Sequence, residues 1–116
     1  MKNRLSPLLA HLIDQETPGL SRQIKIMSQE HEAQVRSWGF SHVFTWTDGP
    51  HAHYPPHSHS GLTTHLVVSG QMTLWYPHES DREKVEYGAG DRIDVDAERV
   101  HEVWIGERGC TYVIGE

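Results

Sequence analysis

A chain of 116 residues holds one hydrophobic core and one domain. With 36% hydrophobic and 22% charged residues it is globular rather than disordered. A formal net charge of -6, with no cluster of Lys or Arg interleaved with aromatics, argues against a nucleic-acid surface and for a small-molecule partner.

Lys2 and Arg4 precede Leu8-Leu9-Ala10 in the manner of a signal peptide, but His11, Asp14 and Glu16 break the apolar run, so no targeting segment is expected. Ser6-Pro7 starts a short helix, with Leu8, Leu9, Leu12 and Ile13 as its stripe and Thr17-Pro18-Gly19 as its stop. Leu20 to Met27 alternates weakly through Ile24 and Ile26 and reads as an edge strand. Ser28 to Gly39 carries helix signals, Glu30 and Glu32 in a first turn and Gly39 as C-cap, yet Ala33, Val35 and Ser37 also fit period two. The reading leans to strand because β signals follow. Residues 1–39 are thus a helix and edge-strand region belonging to the same domain as a barrel over 40–116.

Phe40 to Thr47 is a strand, and Asp48-Gly49-Pro50 turns the chain. Leu62 to Ser69 is a strand ending at Gly70, and Gln71 to Tyr76 is its return strand. Pro77 to Lys84 is a polar loop. Val85-Glu86-Tyr87, the turn Gly88-Ala89-Gly90-Asp91 and Arg92 to Val95 follow. Val100 to Ile105 and Cys110 to Ile114 close the series around the turn at 106–109. Many short strands at regular spacing mean a sandwich or small barrel. No stretch approaches the roughly 20 apolar residues of a bilayer span, so no membrane partner is expected. Cys110, the lone cysteine, cannot form an internal disulfide; a reducing compartment, the cytoplasm, is expected.

The chemistry concentrates in Pro55-Pro56-His57-Ser58-His59. Two imidazoles at i and i+2 on an extended chain project from one face and can chelate one ion, and the intervening strands return His101 to the same place. His51, His53 and His57 offer an alternative ligand set, but that register leaves Gly70 too far away. His51, His53 and Tyr54 are instead placed at the barrel mouth as acid-base or binding candidates, with an exposed loop as the plainer reading of the two histidines.

Together these residues resemble the cupin family. Its first motif is a His-x-His pair, a glutamate three or four residues on, and a glycine ending a strand; its second is a glycine, a proline-x-glycine turn and a histidine. His57, His59 and Gly70 match the first, and Gly90, Asp91 and His101 the second, with ten residues between Gly90 and His101. The resemblance runs from Phe40 to Ile114. It implies an all-β cupin double-stranded β-helix, a jelly-roll barrel with a short N-terminal helix. It also implies one divalent transition metal ion on His57, His59 and His101: iron first, with zinc, nickel, manganese or copper as the others such a site takes.

Two positions depart from the family. The glutamate aligns with Thr63, or Thr64 if the gap is one longer, and the proline-x-glycine turn with Asp96-Ala97-Glu98. Three imidazoles without a carboxylate resemble thiol dioxygenases and a diketone-cleaving dioxygenase, and the higher positive charge favours an anionic substrate bound to the metal. The expected function is a dioxygenase-type oxidoreductase on a small anionic molecule; the alternatives are a non-enzymatic sensor or carrier and a metal-assisted isomerase or lyase. His65, Tyr54 and His53 are the catalytic candidates. His65 replaces the glutamate if the strand bulges, and otherwise contacts substrate or stays a hydrogen-bonded core histidine. Val103 and Ile105 should face in with His101 and Trp104 out, which suggests a covered sheet face and a homodimer. Either Met72 and Leu74 or Thr73 and Trp75 line the pocket, and Asp94 and Asp96 are solvated.

Overall fold

The computed structural model describes residues 18–116, and the helix expected after Ser6-Pro7 lies outside them. The first described element is a helix, α1 (Pro18–Ser37), where weak alternation predicts strands over Leu20–Met27 and Ser28–Gly39. The strand reading fails because the segment is rich in Arg, Gln, Lys, Glu and Met, which lose little rotamer freedom in a helix. Ile26, one of the residues behind the alternation, stays exposed to water. The C-terminal signal was the sound one: Gly39 takes φ +104, and its N–H donates to the Arg36 carbonyl at 3.0 Å. Val35 is fully buried against Leu66 and Val113, so α1 packs on the outer face of the sheet, and the Thr45 hydroxyl donates to Glu32 at 2.6 Å. Among the described residues no helix is long and apolar enough to cross a membrane.

Six strands follow: β1 (Val43–Asp48), β2 (His53–His57), β3 (Thr63–Trp75), β4 (Val85–Tyr87), β5 (Arg92–Val95) and β6 (His101–Gly115). Every pairing is antiparallel. Two of the strands are longer than the sequence suggests. Gly70 is not a reversal: β3 runs through it, as β6 runs through 106–109. The register jumps from Gly70 opposite Cys110 to Met72 opposite Ile105, so residues 106–109 bulge beside Gln71. A Cβ on Gly70, which sits at φ +83, would lie 2.0 Å from the Gly109 carbonyl oxygen. Only glycine permits backbones this close.

Because both long strands bend there, each serves two layers. The first half of β3 lies between β5 and the second half of β6, whose other edge carries β1. The second half of β3 lies between β4 and the first half of β6, whose other edge carries β2. The two four-stranded layers form a jelly roll, as expected. Val67, Ile93 and Val95 from one layer meet Met72, Leu74, Val103 and Ile105 from the other. Val103 and Ile105 point inward as the alternation requires, and Trp104 lies outside, stacked on His53 at 5.5 Å between ring centroids. Leu66 and Val113 face α1 while Val67 and Tyr112 face the interior, so this part of the sheet is buried on both faces.

Candidate metal centre

His57 ends β2 and His101 begins β6, and the two are directly paired. Pro55 and Pro56 carry no N–H for the ladder, and β2 slips register between Tyr54 and His57. The Pro55 carbonyl instead accepts the His57 Nδ1–H at 2.8 Å, and the Arg99 carbonyl accepts the His101 Nδ1–H at 2.9 Å. These bonds leave Nε2 of both rings free, the arrangement in which a carbonyl orients a metal-bound imidazole. His59 sits in the loop after β2, where the Glu98 N–H holds its carbonyl at 2.7 Å. One nitrogen from each of the three rings lies within 4.8 Å of the others. Burial pushes the pKa of His101 below the ordinary range and keeps the ring neutral, as a ligand must be. The donor set therefore fits a divalent transition ion.

The triad borders a cavity of about 460 Å³ between the layers. Met72 and Leu74 line it, which resolves the choice against Thr73 and Trp75. Thr63, one of the two residues aligned with the family's glutamate, faces the cavity, buried, with no partner for its hydroxyl. Thr64 turns away and donates to Asp94 at 2.6 Å. His65 also faces the cavity, outside the three-histidine group; its Nδ1 has no partner, and burial pushes its pKa down to about 4. Asp94 and Asp96 are exposed, as expected.

Of the remaining catalytic candidates, Tyr54 lines the cavity, and its proton is committed to Asp48 at 2.5 Å. Burial, then Asp48, raises its pKa, so toward the cavity it offers an oxygen rather than an easily lost proton. His53 lies on the outer face, bonded to Glu102 at 2.6 Å, and His51 is exposed at φ +61. The Cys110 thiol is buried and pushed up to about 12, which makes it a poor nucleophile.

Two functional groupings escaped the sequence reading. Asp48 is more than a turn residue: it is buried and accepts hydrogen bonds from Tyr54, Tyr112 at 2.6 Å and Trp46 Nε1 at 3.0 Å. Glu79, in the polar loop, grips the Arg99 guanidinium through two bonds of 2.8 Å, and that guanidinium lies 3.5 Å from the Tyr76 ring centroid. The clamp fixes the residue whose carbonyl orients His101. The only trace of it in the sequence is the spacing of Arg99 two residues before His101.

No protein-family model and no curated protein matches the sequence. Solved structures do match the fold. A cupin-2 domain protein from Shewanella frigidimarina superposes with a TM-score of 0.53 at 13% identity, over 64% of this chain and 67% of that one. This is the cupin fold. A cupin superfamily protein from Desulfitobacterium hafniense gives 0.51 at 15% identity, over 66% and 78% of the two chains. The polyketide cyclase RemF from Streptomyces resistomycificus gives 0.54 at 23%, over 62% of this chain and 50% of its own length. At these identities the likeness is one of fold. Set against the cupin motifs, the three histidines stand together, and of the two residues aligned with the glutamate Thr63 rather than Thr64 faces the cavity. Glu98, at the glycine of the second-motif turn, adopts φ +65, a conformation glycine takes without strain.

Proposed function

We propose that this cupin is a mononuclear metal-dependent enzyme, an oxidoreductase of dioxygenase type acting on a small anionic molecule. The observation that carries the reading is the convergence of three imidazoles on a largely apolar cavity, with no carboxylate in their group among the described residues. His57, His59 and His101 would hold the ion. A divalent ion supplies Lewis acidity there, and iron adds one-electron chemistry with dioxygen. With only neutral ligands from the protein, the centre keeps its full positive charge, which an anionic substrate offsets. Met72, Leu74 and Val103 keep water from the substrate body, and Tyr54, anchored on Asp48, presents a fixed oxygen to it.

The test is oxygen uptake by iron-loaded protein with a panel of small carboxylates, thiols and diketones. Uptake coupled to product supports the reading. A second reading, metal-assisted lyase, cyclase or isomerase chemistry, draws support from the name of one neighbour, the polyketide cyclase RemF. Turnover that persists without oxygen would select it. Ligand-induced thermal stabilisation with no turnover would instead favour a binding module.

A further inference from the structure

The layer facing the triad carries a second feature. Thr63 and His65 stand two residues apart at the start of β3, so both side chains project from its inner face into the cavity. Among the described residues, Thr63 Oγ1 and His65 Nδ1 are the buried side-chain polar atoms that lack any hydrogen-bond partner. Folding rarely leaves such atoms unpaired, because each loses its water without gaining a bond in return. Two of them on one strand, facing one cavity, are explained together if a ligand completes them.

We propose that Thr63 and His65 form a neutral hydrogen-bonding subsite that receives an uncharged polar group of the ligand: a hydroxyl, carbonyl or amide. The pair carries no charge of its own, since burial holds the imidazole neutral. The pair itself offers a carboxylate no cationic partner to offset its lost hydration. The hydroxyl donates or accepts, and the imidazole does either according to its tautomer, so together they match a group with both capacities. Met72, Leu74 and Val103 make the surrounding wall apolar. The ligand class is therefore a small molecule with a compact apolar body, an anionic oxygen for the triad and an uncharged hydrogen-bonding group for the Thr63–His65 pair. This deepens the proposed function, resting on the same cavity, but the subsite itself needs no ion.

Phenol and toluene, which share a ring and differ by one hydroxyl, are the probes, titrated by calorimetry into the protein as purified and after chelator treatment. Phenol should bind more tightly than toluene, and Thr63→Val should weaken phenol by about five- to tenfold while sparing toluene. Thr64→Val, whose hydroxyl faces Asp94, is the folded control and should leave both probes unchanged. Phenol should also shift the ring nitrogen resonances of His65. Equal affinity for the two probes, no binding of either, or insensitivity of phenol to Thr63→Val would overturn the subsite. If the protein proves unable to hold a metal but the Thr63 effect survives chelation, the enzyme reading fails and the subsite stands. Metal binding without a Thr63 effect would leave the enzyme reading standing and overturn the subsite.

Discussion

Acidification should unfold the protein in part through His65. Burial holds its folded pKa at about 4, against 6.5 for the free side chain. Because the folded value is the lower one, the unfolded chain takes up a proton that the folded chain refuses. The stability tied to this group is complete above pH 6.5 and drains away as the pH falls toward 4. Linkage gives a loss of roughly 2.5 kcal/mol at pH 4.5 relative to pH 7.5. That is a large share of a typical total of about 5–15 kcal/mol. The assay is urea unfolding of chelator-treated protein at both pH values, on wild type and His65→Phe. His101 is also shifted down by burial, so the variant should keep part of the pH dependence while losing the His65 share. If wild type and variant lose the same stability between the two pH values, the buried neutral imidazole is not what the structure describes.

The clamp on Arg99 makes a second prediction. The pair is only partly buried, so Glu79→Gln should loosen His101 and weaken metal binding modestly, by about fivefold in chelator competition. At Gly70, alanine would meet the Gly109 carbonyl at 2.0 Å, and Gly70→Ala should fail to give a cooperative thermal transition. Glu98 holds a left-handed conformation that disfavours a side chain, and Glu98→Gly should raise stability by about 0.5–1 kcal/mol in denaturant titration, with metal binding intact.

How much of this was legible in the sequence depended on how local each feature is. His57 and His59 are two residues apart and His101 follows a recognisable glycine, so the triad could be read directly. The inward alternation of Val103 and Ile105 was equally local. Where the same residue type serves two structures, the reading went astray. Gly70 reads as the end of a strand, but here its positive φ lets β3 pass within contact of Gly109, a fact that depends on a strand far along the chain. The helix α1 was hidden because Val35 is buried by Leu66 and Val113, partners that no window around Val35 contains. Asp48 and Glu79 looked like ordinary loop carboxylates; their importance lies in Tyr112 and Arg99, which the fold alone brings to them.

The central claim is that three imidazoles hold one metal ion. Plasma mass spectrometry of the purified protein, alongside His57→Ala and His101→Ala, tests it most directly. The account predicts close to one equivalent of a single transition metal in the wild type and its loss from both variants. A wild type that stays metal-free after reconstitution with iron, zinc, nickel, manganese and copper, or variants that retain the ion, would contradict it.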